Sequence, residues 1–428
     1  MRDARFPSER RQAYSWAFCD WANSAFATTV LAGFFPLFFK QYWSADSDVT
    51  VSTFQLGMAN SAASVLIALM SPLLGAIADR SSAKKRYLIL FTGLGVVMTG
   101  CLALVAAGEW PVALAVFVLA NIGFAGNTLF TDALLLDAAP SERLDRVSAL
   151  GYALGYLGGG LLFALNVAMT LWPQRFGLPD AATAVRVSFV TVAVWWTVFT
   201  VPLMVSFREA PGARRDVGWA AVRSGLEQLW QTCRAVGELR NVLLFLIAFW
   251  CYIDGVHTVI RMAVDYGLSI GLAHEALITA LLVTQFVGFP AAIVFGRLGE
   301  RIGPKAGIGI ALLVYTGACA WGYLMQEAWE FYVLAVAIGL VQGGVQSLSR
   351  SLFGRLVPRG RAGEFYGFYN LLGRFAAIIG PFLMGVVGLA TGNPRLSILA
   401  VIALFVIGGA LLLKVDERRA PDPALDGA

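Results

Sequence analysis

Four polar groups recur at helical spacing in the stretch 254–265: Asp254, His257, Arg261 and Asp265. Steps of three or four residues put them on one face of a helix. Carboxylates, an imidazole and a guanidinium together can move a proton and hold an anion. The flanking sequence is apolar, so the stripe should face a wet cavity rather than lipid. Arg261 could pair with Asp254, with Asp265 or with a substrate carboxylate, and Asp265 falls where the run nears water. Asp20 is a second isolated carboxylate, roughly 13 Å along its helix from Arg11 at the rise of an α-helix. Asn23 and Ser24 follow one turn on. An anion at that depth is costly, so Asp20 either exchanges a proton or ties helices together by hydrogen bonds.

Further groups fall on matching faces. Gln342, Gln346 and Arg350 are one turn apart, as are Asp132 and Thr128, with Asn121 further up. Arg374 lies deep in an apolar run and needs an anionic partner, from a side chain or a substrate. No nucleophile–base set and no phosphate-cradling Gly-x-x-x-x-Gly-Lys-Ser/Thr is present, so neither an enzyme nor ATP-driven transport is indicated. With only His257 and His274 and five scattered cysteines, no metal cluster, disulfide framework or cofactor is expected.

The elements that carry these residues follow from composition. The chain has 428 residues, 58% hydrophobic and 14% charged. Soluble domains carry about 25% charged residues. Apolar runs of roughly 20 residues match a ~30 Å hydrocarbon layer. Twelve spans are predicted: 14–39, 54–78, 87–107, 111–136, 147–171 and 185–207, then 241–266, 276–295, 306–325, 329–353, 365–390 and 396–415. The net charge of +5 resides in loops on one side, among them Arg10, Arg11, Lys84 to Arg86, Arg143, Arg297 and Arg359. Asp46, Glu109, Asp180 and Glu327 mark the other. The basic side is the cytoplasmic one by the charge rule, so both termini are cytoplasmic and the basic residues are no nucleic-acid signal. No cleavable signal peptide is visible. The expected location is a bacterial inner membrane, as a monomer among lipids.

The chain repeats itself. Gly75-Ala-Ile-Ala-Asp-Arg-Ser-Ser-Ala-Lys-Lys-Arg86 lies between two apolar runs, and Gly296-Arg-Leu-Gly-Glu-Arg-Ile-Gly-Pro-Lys305 lies between two others. Gly75 matches Gly296, Asp79 matches Glu300 and Arg80 matches Arg301, all offset by 221 residues. Asp132 matches Arg350 and Gly155 matches Gly373 at 218, and Asp20 matches Asp254 at 234. The fold class is therefore an all-α polytopic membrane protein, with twelve transmembrane helices in two pseudo-symmetric six-helix halves. The halves are 1–207 and 241–428. They are joined by a polar segment, 208–240, whose Trp219, Val222, Leu226, Leu229 and Trp230 suit a helix lying on the membrane surface.

The Gly75–Arg86 loop resembles the loop signature of the major facilitator superfamily, with Ser82 where a second glycine is usual. The Gly296–Lys305 loop resembles its second-half copy. The superfamily's two six-helix halves are a known architecture. Asp20-Trp-Ala-Asn-Ser-Ala-Phe-Ala-Thr-Thr, continuing to Phe39, and Asp254-Gly255 are similar to the vacuole-effluxer family. That resemblance implies export of a small solute, with amino acids the best-known cargo, and a contact between Asp79 and the start of span eleven.

The resulting expectation is a secondary transporter working by alternating access, proton-coupled and exporting amino acids. Substrate binding or coupling falls to Asp20, Asn23, Asp254, His257, Arg261, Gln346 and Arg374. A cytoplasmic gate falls to Gly75, Asp79, Arg80, Lys84, Lys85, Asp132, Asp137, Gly296, Glu300, Arg301 and Arg350. Lys84 to Arg86 could reach Asp132 or Asp137. Efflux of amphipathic compounds or lysolipids, and a non-transporting sensor or scaffold, are the alternatives.

Overall fold

The computed structural model describes residues 6–45, 55, 66–67, 70–79, 83–209, 223, 227, 230, 240–269, 274–358, 361–376, 379–391 and 394–417. The helices are α1 (Phe6–Ala25), α2 (Lys84–Leu102), α3 (Trp110–Ala138), α4 (Leu144–Leu171), α5 (Ala181–Ser206) and α6 (Arg240–Ser269). They continue with α7 (His274–Ile302), α8 (Pro304–Leu324), α9 (Ala328–Leu356), α10 (Ala362–Phe375), α11 (Ile379–Thr391) and α12 (Pro394–Leu413). Beyond Ala25 the first span runs on to Trp43 through wide π-helical turns, Phe26–Phe34 and Phe39–Trp43, either side of Phe35–Phe38.

Ten helices among the described residues are long and apolar enough to cross a membrane. Of the predicted 54–78 span, residues 70–79 are described as one continuous helical stretch. The predicted 365–390 span is not one helix but two, α10 and α11. Ala376 turns extended, at φ −72° and ψ 104°, and ends the ladder of α10. Pro381 then falls in the first turn of α11, where its missing N–H removes no intrahelical bond.

Helix ends follow local chemistry. Gly303, at φ 86°, makes the reversal between α7 and α8 in a single residue, a conformation that side chains with a Cβ avoid. The Asp180 carboxylate accepts from Thr183 N at 2.7 Å and caps α5. Glu327 and Glu330 form a capping box at α9. In the middle segment, the described residues Arg223, Glu227 and Trp230 are helical and exposed, and Arg223 Nε bonds Glu227 Oε1 at 3.1 Å. The other residues of the expected surface helix, including Trp219 and Leu226, lie outside the described residues.

Within the first half, α2 packs on α3, and α1 on α4 and α5. Within the second, α7 and α8 pack on α9, and α6 on α12. The halves meet where α4 packs on α7 and α9, and α3 on α10. At the acidic end of the first half the core is aromatic, with Phe35 stacked on Phe117 at 3.7 Å and Trp43, Phe189 and Trp196 buried.

The duplication is written into the basic face. The Gln12 amide exchanges hydrogen bonds with the backbone of Arg208, at 3.0 and 2.8 Å. Asn241 does the same with Asp416, at 2.8 Å each way. Glu209 accepts from the N–H groups of Lys84 and Lys85, at 3.0 and 3.1 Å, and so caps α2. Glu417 accepts from Lys305 N at 3.3 Å, in the first turn of α8. Each half thus ties its last span to its first and third spans with the same side-chain types.

Candidate functional site

Arg350, on the polar stripe of α9, is 2% exposed and sits at the centre of a knot that joins the halves. Its Nη2 lies 2.9 Å from Asp20 Oδ2, and its Nη1 lies 3.2 Å from Asp132 Oδ1. Nε donates to Ser148 Oγ and Nη2 to the Ser148 carbonyl, each at 2.9 Å. The Trp16 and Tyr152 rings flank the guanidinium, 4.8 and 4.3 Å from its carbon. A buried charge is tolerable only when its donors are largely met, and four of the five N–H groups are met here. Asn370 on α10 donates to the other oxygen of Asp132 at 3.0 Å. Helices α1, α3 and α4 therefore meet α9 and α10 here. Two carboxylates thus share one guanidinium across the halves.

The repeat offset sets Asp132 and Arg350 at matched positions of the two halves, without pairing them with each other. It does not anticipate that Asp20 is the third member rather than an isolated carboxylate. Asn23 departs from Asp20 altogether: its amide donates to Asn127 at 2.7 Å, and Asn127 donates to Thr92 at 2.7 Å, deep in the first half. Thr128 bonds its own helix at Phe124 O, and Asn121 is buried, so only Asp132 from that face reaches the knot.

Towards the basic face a second contact crosses the halves. Asp79 accepts from Gly363 N at 3.0 Å and from Glu364 N at 2.8 Å, capping α10. Lys84 pairs with Asp79 at 3.1 Å and approaches Asp137 at 4.0 Å. Lys85 donates to the Phe207 carbonyl at 2.8 Å instead of reaching a carboxylate of α3. A Cβ on Gly75 would stand 2.0 Å from the Gly363 carbonyl oxygen, so only glycine lets the two backbones approach this closely.

The second loop keeps the close packing but not the cap. A Cβ on Gly296 would stand 2.5 Å from the Ala149 Cβ, in the first turns of α4. Glu300 and Arg301 are exposed, unlike Asp79. The carboxylate on this side is Asp145, fully buried, bonded to Ser351 Oγ and Arg355 Nη2. Arg80 lies outside the described residues.

The span-seven stripe also has a different setting from the one expected. Asp254 is fully buried, not in a wet cavity. Its oxygens accept from Ile379 N at 3.1 Å and Gly380 N at 2.9 Å, the first N–H groups of α11. Thr258 Oγ1 lies 3.3 Å from Asp254 Oδ1. His257 Nδ1 meets the Ala376 carbonyl at 3.1 Å, on the other side of the break. A broken helix at membrane depth must have its freed backbone groups met by neighbours. Asp254 and His257 meet them from both sides. The side chains of Arg261, Asp265 and Arg374 lie outside the described residues.

The match to the family described as "Vacuole effluxer Atg22 like" covers residues 8–137 and 136–424. The chain belongs to that family. Of the vacuole effluxers' relatives, the uncharacterized MFS-type transporter YxiO of Bacillus subtilis is 36% identical over 415 residues, 96% of each chain. Autophagy-related protein 22 of Yarrowia lipolytica is 25% identical over 305 residues, 64% of this chain and 51% of that one, so the chain spans about half of the fungal protein. The major facilitator fold itself is shared with the proton:xylose symporter XylE, at a TM-score of 0.70 and 11% identity, over 96% of this chain and 95% of that one.

This vacuole-effluxer-family transporter has further site residues with little sequence signal. Ser148 and Asn370 are single uncharged polar residues in apolar runs, and Asp145 lies in the charged stretch 141–146, so spacing singles out none of them. Gly151 does leave a trace, in the glycine row of α4: a Cβ there would stand 2.3 Å from Asp20 Oδ2 and 3.0 Å from Arg350 Nη2. Gln346 is half-buried one turn above Arg350, and Gln342 is half-buried one turn further.

Proposed function

We propose that this transporter exports a small solute, amino acids foremost, from a bacterial cytoplasm in exchange for protons, by rocking halves 1–207 and 241–428 about the linker 208–240. The observation that carries this is the sharing of Arg350 by Asp20 and Asp132 across the halves. Protonation of Asp20, the more exposed of the two carboxylates at 14% against 5%, removes one of the two ionic anchors. The halves can then part on the basic side, which the charge rule makes cytoplasmic. XylE, a proton:xylose symporter of the same fold, supports proton coupling. The family resemblance supports amino acids as cargo, and the Bacillus relative supports a bacterial plasma membrane.

In this reading Gly75, Asp79, Arg80, Lys84, Asp137 and Gly296 form the outer layer of the cytoplasmic gate, with Glu300 and Arg301 at its rim. Lys85 braces it through Phe207. Arg261, Gln346 and Arg374 are the substrate contacts, and Asp254 and His257 shape the site by holding the break in span eleven. The test is uptake of labelled amino acids into proteoliposomes with and without a pH gradient. Transport accelerated by the gradient in the wild type, and unresponsive to it in Asp20→Asn, is the expected result. Equal gradient-driven transport by Asp20→Asn would remove Asp20 from coupling.

A further inference from the structure

Helices α4 and α7 come from opposite halves and pack along the seam between them. Each carries a stripe of side chains that the bundle does not bury. On α4 it is Arg146, Leu150, Leu154, Leu157 and Leu161, in steps of three or four residues and all at least partly exposed. On α7 it is Phe286, Pro290, Val294, Arg297 and Arg301, at the same spacing and all exposed. The stripes adjoin at both ends. A Cβ on Gly160, next to Leu161 in the chain, would stand 3.9 Å from the Phe286 ring. A Cβ on Gly296, next to Arg297, would stand 3.4 Å from the Arg146 Cα. From Arg146 to Leu157 the α4 stripe rises roughly 16 Å, about half of a ~30 Å hydrocarbon layer.

The end on the basic face is different in kind. Arg146 from one half stands beside Arg297 from the other, with Arg301 one turn on. Neighbouring arginines are paired: Arg143 with Glu9, and Arg355 with Asp145. Among the described residues, Arg146, Arg297 and Arg301 form no ion pair and no side-chain hydrogen bond. The exposed carboxylates closest to them in sequence, Glu142 and Glu300, bridge to none of the three. Like charges side by side repel, and each guanidinium keeps a fork of donors that matches a phosphate.

We propose that an anionic phospholipid docks on this seam, with its phosphate between Arg146 and Arg297 and its acyl chains along the leucine stripe. The phosphate turns a repulsion between the halves into a shared partner. It therefore holds α4 against α7 on the basic side, the side that the charge rule gives to the anionic cytoplasmic leaflet. A choline lipid carries its own cation beside the phosphate and binds less well. The docking depends on neither the cargo nor the coupling ion, and only its effect on opening rests on the rocking of the halves.

Native mass spectrometry of the purified full-length protein, titrated with phosphatidylglycerol or phosphatidylcholine, counts the bound lipid. The first phosphatidylglycerol should bind roughly tenfold more tightly than the first phosphatidylcholine. Arg146→Gln with Arg297→Gln should abolish that preference and leave phosphatidylcholine unchanged. Arg240→Gln with Lys414→Gln removes an equal charge from the basic face away from the seam and should keep it. No preference in the wild type, or equal losses in the two double variants, overturns the site. Displacement of the phospholipid by excess inorganic phosphate overturns the lipid as occupant in favour of a soluble anion. In nanodiscs, a cysteine placed at Ala149 in a chain without its native cysteines should be labelled more slowly in phosphatidylglycerol than in phosphatidylcholine, and equally in both once Arg146 and Arg297 are replaced. Equal labelling in both lipids with binding intact overturns the hold on the halves, independently of the docking.

Discussion

Nη2 of Arg350 stands 2.9 Å from Oδ2 of Asp20, across 330 residues of sequence and across the boundary between the halves. The approach depends on Gly151, whose missing side chain leaves the space that the carboxylate occupies. Gly151→Val should therefore break this ion pair without touching either charge. Transport by Gly151→Val is expected to fall at least tenfold, while the milder Gly155→Ala, facing Ser24 instead, should lose less. Counterflow in proteoliposomes measures both, and a fully active Gly151→Val would sink the assignment.

Removing the cation should cost more than removing one anion. Arg350→Met leaves two buried carboxylates against no charge, and breaking a buried pair costs about 3–5 kcal/mol. Adding Asp132→Asn to Arg350→Met removes one of the stranded charges and should recover part of the loss. Thermal unfolding in detergent reads this directly. A double variant less stable than Arg350→Met alone would show that the carboxylates are not held by Arg350.

Asp254 is expected to be structural in a specific way. Asp254→Ala strands the N–H groups of Ile379 and Gly380 inside the membrane, at about 1–3 kcal/mol for each buried group left unpaired. Asp254→Asn keeps an acceptor and should lose clearly less stability than Asp254→Ala. His257→Ala leaves the Ala376 carbonyl unmet and should be milder still, because under-satisfied carbonyls are better tolerated than orphaned N–H groups. Unfolding temperatures in the order wild type, His257→Ala, Asp254→Asn, Asp254→Ala are the predicted outcome, and equal stability of Asp254→Ala and wild type refutes the capping role.

Asp79→Asn weakens the cap on α10 and the pair with Lys84 together. The expected effect is faster labelling of a cysteine placed at Ala149, behind the second loop, and slower net transport with substrate affinity retained. A large loss of affinity at unchanged turnover would instead put Asp79 in the binding site. The two end-clamps allow a matched control: Glu209→Ala and Glu417→Ala should each cost about 1 kcal/mol, the usual value of a lost helix cap. Unequal effects would argue against their structural equivalence.

The sequence by itself determined the membrane class, the duplication and the family. These rest on apolar run lengths, charge distribution and local motifs, each of which acts over a short stretch of chain. It also set Asp132 and Arg350 at matched repeat positions, while their pairing was decided by packing. What it left open was which polar residues meet when helices far apart in sequence pack. Tertiary structure put Asp20 into the Arg350 knot through Gly151, and turned Asn23 inward to Asn127. It broke the predicted eleventh span at Ala376, where an apolar run reads as continuous helix. It then set Asp254 and His257 to that break rather than to a wet cavity. Helical periodicity says which side chains share a face. What that face meets is decided by the neighbouring helix, and in a membrane every freed backbone group must find its partner there.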